Sequence, residues 1–149
     1  MRRFFKRALL VLGGLVGLLL VMQIVPYGRD HTNPKGTHEP EWDSAQTREL
    51  AVRACFDCHS NHTTWPWYSD VAPVSWVVQR HVDEARLALN FSDWSKKYYG
   101  EGQAAANVLM GDMPPLSYWL FHPEARLTDQ EKLQLARGLQ NTFGLPWRE

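Results

Sequence analysis

Ala8 to Val25 is a run of 18 residues whose only clearly polar member is Gln23. As a helix it measures about 27 Å, enough to cross a bilayer core. It is apolar on every face, so it does not suit an ordinary core helix, which shows water one polar side. Arg2, Arg3, Lys6 and Arg7 stand before it, with no acid among the first 25 residues. A cleaved signal peptide has a shorter apolar core and a small-x-small exit. This run leaves through Val21-Met22-Gln23-Ile24-Val25-Pro26-Tyr27, without Ala-x-Ala. We read residues 1–25 as an uncleaved signal anchor, a single transmembrane helix. Its cations hold the N-terminus in the cytoplasm, and the rest of the chain faces a periplasm-like compartment. The expected location is the bacterial inner membrane, single-pass.

Charge narrows the class of the outer part. The chain has 16 basic and 16 acidic side chains. With four bases in the anchor, 12 basic face 16 acidic residues beyond it, a formal −4. A nucleic-acid-binding domain shows a basic face, so no nucleic-acid partner is expected. At 44% apolar and 12% aromatic residues, disorder throughout is excluded.

Residues 26–41 read as a linker. Gly28, Asn33, Pro34, Gly36 and Pro40 break any periodicity. The folded domain is placed at 42–149, about 107 residues, with no internal repeat. No long period-2 alternation appears, so the fold class is all-α. Asp43 or Ser44 can cap a helix running to Ala54, with Leu50, Ala51 and Ala54 on one face. Asn61 to Ala72 reads as loop. Pro73 can open a helix whose stripe is Val78, Val82, Ala85 and Leu89. A helix from Gln103 to Met110 follows, and Gly111-Asp112-Met113-Pro114-Pro115 cannot be helix interior. Thr128-Asp129-Gln130-Glu131 is a capping box for a last helix, its core face Leu133, Ala136, Leu139 or Gln140, and Phe143.

The chemistry sits in Cys55-Phe56-Asp57-Cys58-His59. C-x-x-C-H is the attachment signature of c-type haem. Two thiols three residues apart near a helical turn can reach the two vinyl groups on one edge of a porphyrin. His59 then lies under the ring as the proximal iron ligand. A structural disulfide explains the pair poorly, because it would close almost no loop. Two other uses of the cysteines compete. A thioredoxin-like thiol pair belongs in a βαβ setting that is not found. Zinc on Cys55, Cys58, His59 and His62 would crowd four ligands into one turn, where zinc fingers converge from separate elements.

A six-coordinate haem needs a second axial ligand. Met113, 54 residues beyond His59 and ahead of Pro114-Pro115, is the distal candidate. His81, mid-helix beside Val74 and Val77, is the alternative. His62 is too close to His59 to reach the opposite face. His122 reads as loop ligand, cap or exposed residue, and His31 and His38 as solvated linker. Trp65, Trp67 and Tyr68 form a candidate pocket wall. Arg86 and Arg126 are candidate partners for haem propionates.

These residues resemble a known family, the small bacterial haem-binding domain proteins, a cytochrome-c-like group. The likeness covers nearly all of residues 24–143. It is carried by Asn33-Pro34, Cys55-Phe56-Asp57-Cys58-His59-Ser60-Asn61, Trp65-Pro66-Trp67-Tyr68-Ser69 and Ala72-Pro73-Val74-Ser75-Trp76. It continues through His81-Val82, Arg86, Leu89-Asn90-Phe91-Ser92, Met113-Pro114-Pro115, Tyr118 and His122-Pro123-Glu124-Ala125-Arg126-Leu127. The resemblance implies one haem on Cys55 and Cys58, with His59 proximal and Met113 distal. One departure is Ala85, where the family pattern usually has Gly before Arg86.

The expectation is therefore an all-α, cytochrome-c-like domain wrapped around one covalent haem c and anchored by its N-terminal helix. It would carry electrons between periplasmic or membrane redox proteins rather than act as an enzyme. The first alternative is a haem-based sensor or small peroxidase with a displaceable sixth ligand. The second is a haem-free thiol or zinc module.

Overall fold

The computed structural model describes residues 1–145, and every regular element among them is helical. The last four residues of the expected 42–149 domain lie outside the described residues. Seven α-helices are assigned: α1 Arg2–Met22, α2 Ala45–Ala54, α3 Phe56–His59, α4 Val74–Ala88, α5 Glu101–Met110, α6 Leu116–Trp119 and α7 Asp129–Thr142. Two short 3-10 turns cover Trp67–Asp70 and Pro123–Ala125.

The chain divides into two compact units. One comprises Met1–Thr32 with Trp65–His81, and the other Asn33–Thr64 with Val82–Glu149. In the first unit α1 takes in the basic residues and the apolar run as far as Met22, and none of its residues is buried. Its 21 residues span about 32 Å. Among the described residues it is the one helix long and apolar enough to cross a membrane. The helix stops at Met22, and Gln23 turns to other use. Its amide donates to the Ala72 carbonyl at 2.9 Å and accepts from the Ala72 N–H at 3.1 Å. Gly28, at φ +84°, packs so closely on the Ser75 backbone that a Cβ would lie 2.6 Å from its carbonyl. His31 is a second fixture and corrects the expectation that it is solvated. Its ring stacks on Trp65 at 4.5 Å, and Nε2 donates to the Ser69 carbonyl at 3.0 Å.

The second unit is built from local signals that mostly act as read. Ser44 caps α2 by accepting from the Thr47 N–H, and Thr128 caps α7 in a complete capping box. Gly111, at φ +81°, closes α5. The core joins α2, α3, α5 and α7 through Leu50, Ala51, Phe56, Val108, Leu135 and Leu139. Phe91, fully buried, stacks on Phe56 at 5.5 Å and meets Trp42 at 5.1 Å. The expected face of α7 holds at Ala136, Leu139 and Phe143, and departs at Leu133. Leu135, Ala136, Gly138 and Leu139 point inward, while Leu133 is 37% exposed. Both stripes have helical spacing, and packing against α2 and α5 selects between them.

Residues 33–38 of the expected linker carry no helix or strand, yet they are fixed within this unit. Thr37 N–H donates to the Ser92 carbonyl at 2.9 Å, and Trp94 N–H donates to that of His38 at 3.1 Å. Gly36 has no room for a Cβ, which would fall 2.6 Å from the Ser92 carbonyl oxygen.

Candidate functional site

Cys55 is where α2 ends and α3 begins. Its backbone leaves the helical region there, at φ −126° and ψ −34°, and a fresh turn carries the motif. The Cys55 carbonyl accepts from the N–H groups of Cys58 at 3.2 Å and His59 at 2.8 Å. The two cysteines and the histidine thus stand at positions i, i+3 and i+4 of one turn, the spacing that places side chains on a common side. Both thiols are free and half-buried. Burial pushes the Cys55 thiol up to about 12 and Cys58 up to about 11, the neighbouring acidic groups adding to the effect. Redox and nucleophilic cysteines show the opposite shift.

His59 is held by its far nitrogen. Nδ1 lies 3.0 Å from the carbonyl oxygens of both Ala85 and Leu89 near the end of α4. Carbonyls only accept, so Nδ1 carries the proton and Nε2 keeps a bare lone pair. Burial also lowers the imidazole's pKa, against the pull of the two carbonyls, and so favours the neutral ring. A neutral imidazole with one nitrogen tied to backbone is the form in which histidine ligates a metal. Ala85 takes part through its carbonyl, which glycine would supply equally well. The departure from the family pattern therefore leaves this contact intact.

The segment after the motif is locked by residues that sequence reasoning left without a role. Phe91 N–H donates to the His59 carbonyl at 2.8 Å. Asn90 donates to Asn61 at 2.9 Å, and the Ser92 hydroxyl accepts from the Asn61 N–H at 3.0 Å. Asp57, between the cysteines, accepts from the Thr64 N–H at 3.0 Å and from the Tyr118 hydroxyl at 2.6 Å. Burial, followed by the hydrogen bond to Asp57, raises the Tyr118 phenol above its ordinary range. A signal for this lock was present in the chain. Asn90 and Ser92 follow the helix stripe directly, and short polar side chains at such positions bind nearby backbone.

The two candidate arginines are engaged by the protein itself. Arg86 donates to the Ser60 carbonyl, to Asn33 and to Thr63, each at 2.9 Å. It braces the chain leaving the motif. Arg126 donates to the Trp119 carbonyl at 3.0 Å and lies over the Trp119 ring.

Met113 follows α5 on a loop pinned by its own N–H to the Asn107 carbonyl at 3.1 Å. It is 36% exposed. His122 stacks on Tyr118 at 4.1 Å and lies 3.0 Å from Glu124. His62 is exposed. Among the described residues no group of three or more His, Cys, Asp or Glu side chains is placed to hold a metal ion.

Trp65, Trp67, Tyr68 and His81 belong to the first unit. Trp65 is half-buried beside His31. Trp67 is 79% exposed and meets Tyr68 edge-on at 5.9 Å. His81 is exposed on α4. The indole N–H groups of Trp65 and Trp76 and the Ser75 hydroxyl are buried without an acceptor.

A model of the haem-binding domain family matches residues 17–141, well over half of the chain. The chain belongs to the haem-binding domain family. The match spans every element from the later turns of α1 to the end of the buried face of α7. No curated protein and no solved structure matches the chain. Haem is thus the ligand that the family assigns, and His59 with its bare Nε2 is chemically fitted to it.

Proposed function

We propose that this haem-binding domain protein is a membrane-anchored monohaem c-type cytochrome that carries electrons outside the cytoplasm. One observation carries the reading. The residue directly after Cys58 is a histidine whose Nδ1 is committed to two backbone carbonyls and whose Nε2 is left to bind iron. Cys55 and Cys58 would hold the haem through thioethers, and Met113 would take the distal position. Bound haem supplies one-electron chemistry, and the protein sets its ligands, polarity and access. His59 keeps its tautomer because Ala85 and Leu89 hold the Nδ1 proton. Asp57, Thr64 and Tyr118 fix the turn between the cysteines, so the motif keeps its shape. Arg86 holds the chain leaving the motif by way of Ser60 and Thr63. Protonated, half-buried thiols and the absence of any strand among the described residues argue against a thioredoxin-like exchange pair. The donor and acceptor are proposed to be periplasmic or membrane redox proteins, and the anchor keeps the domain close to membrane-bound ones.

The test is a haem stain on a denaturing gel, with wild type and Cys55→Ala/Cys58→Ala made in a host with c-type maturation. Haem retained by the denatured wild type and lost from the variant establishes covalent attachment. No retained haem in a competent host sinks the cytochrome reading.

The exposure of Met113 favours one second reading, a sensor or peroxidase-like protein whose sixth ligand is displaced. The two readings separate on carbon monoxide. In the cytochrome, reduced wild type binds it slowly and Met113→Ala binds it rapidly. Equally rapid binding by both assigns the protein to the sensor class.

A further inference from the structure

We infer that the first unit carries a second membrane-contacting element, an apolar collar that sits in the lipid interface around the mouth of α1. The inference rests on reading α1 as membrane-spanning. It starts from the one polar residue of the apolar run. Gln23 ends α1 and grips the Ala72 peptide by both its N–H and its carbonyl, at 3.1 and 2.9 Å. Arg29 donates to the same Gln23 carbonyl oxygen at 2.8 Å. Gly28 lies against the backbone of Ser75 and Trp76 with no space for a side chain. Residues 71–76 are therefore fastened to the last turn of α1, where the hydrocarbon core gives way to headgroups.

Beside that clamp, next to the exposed Asp70, four apolar side chains are turned outward. Val71 is 45% exposed, Val74 44%, Val77 52% and Trp67 79%. Val74 and Val77 are three apart on α4, so they share a face. Tyr27, just past α1, is 49% exposed. A water-facing segment would not be expected to leave a tryptophan and three valines uncovered around one short stretch. The interface next to a membrane helix is where tryptophan and tyrosine are enriched, because their amphipathic rings match the headgroup layer. Continuity with the apolar helix selects lipid as the occupant. Along the chain, the exposed apolar residues of α1 continue past Gln23 through Ile24, 78% exposed, and Val25, 43% exposed, to Tyr27 beside Gly28.

The experiment places the photoreactive residue benzoylphenylalanine at Leu15, Trp67, Val77 and Glu49, one at a time. The full chain is reconstituted in phosphatidylethanolamine and phosphatidylglycerol vesicles, illuminated and analysed by mass spectrometry. The Glu49 probe, on α2, sets the background. We expect phospholipid adducts severalfold above it at Leu15, Trp67 and Val77. Lipid adducts at Leu15 with only background at Trp67 and Val77 overturn the collar and leave the anchor standing. Adducts from Trp67 or Val77 to a second copy of the chain, in place of lipid, overturn it too. No lipid adduct at Leu15 overturns the anchor, and the collar with it.

Discussion

Gly138 lies in the middle of α7, where a Cβ would fall 2.0 Å from the Thr47 hydroxyl and 2.5 Å from its methyl. Thr47 cannot swing aside cheaply. It is 1% exposed, and its hydroxyl is hydrogen-bonded to Ser44 at 2.9 Å. Alanine is better than glycine in a helix interior by about 1 kcal/mol. Forcing atoms into a filled contact costs about 1–3 kcal/mol, so the collision outweighs the propensity gain. Gly138→Ala is expected to lower the urea midpoint of the second unit. Made together with Thr47→Ala, it should become neutral or stabilising, since the colliding atoms are gone. A double-mutant cycle measures this as a coupling between two residues 91 positions apart. A glycine inside a helical pattern is itself a signal of close packing. What sequence withholds is the partner, because α2 and α7 meet only in three dimensions. His59 shows the same division. The motif names it as a ligand, but the carbonyls that fix its tautomer come from Ala85 and Leu89, and no side-chain pattern marks a carbonyl.

α7 is the element whose start was clearest, and its cap also connects it to α2. Thr128 and Glu131 satisfy each other's backbone N–H groups, and Arg53 of α2 donates to Glu131 at 2.8 Å. Arg53 first, then the Thr128 N–H and hydroxyl, draw the Glu131 carboxyl down to about 2 from an ordinary 4.5. The unfolded chain therefore binds this proton at a higher pH than the folded one. Stability from this group is fully present above pH 4.5 and is lost as pH falls toward 2. Glu131→Gln still offers an oxygen to Thr128 but carries no charge. Chemical denaturation across that range should show a shallower acid loss in Glu131→Gln than in wild type, with helix content unchanged at neutral pH. Capping boxes are legible because both partners lie within four residues. The four-residue helices α3 and α6 are not. They are too short to show a period, and tertiary bonds such as Tyr118 to Asp57 hold what local propensity does not. On the inward face of α7, Ala136 and Leu139 are where the pattern puts them, while Leu135 takes the place expected of Leu133 because either fits the period until a neighbour covers one.

Across the whole molecule, the all-helical class and the apolar N-terminal helix follow from patterns that repeat along the chain. The division into two units does not, because it cuts through α4 and takes residues from both sides of the C-x-x-C-H motif. Gln23 is where that organisation could have been glimpsed. A lone amide in an apolar run costs free energy in lipid unless it finds a partner. Here it sits at the end of the run and replaces a backbone pair for Ala72. Gln23→Leu would keep the apolar run intact and even lengthen it, so insertion should be unaffected. The Ala72 N–H and carbonyl would lose their partners, and each such loss costs about 1–3 kcal/mol when the group stays buried. Ala72 is 1% exposed, so water cannot replace the amide without opening the segment. Hydrogen exchange on the full chain in vesicles should then rise from Ser69 to Trp76. The amides of α2 and α7 belong to the other unit and should keep their wild-type rates. Gly138→Ala should give the reverse pattern, faster exchange in α2 and α7 with Ser69 to Trp76 unchanged. Faster exchange everywhere in either variant would show a single cooperative body in place of two.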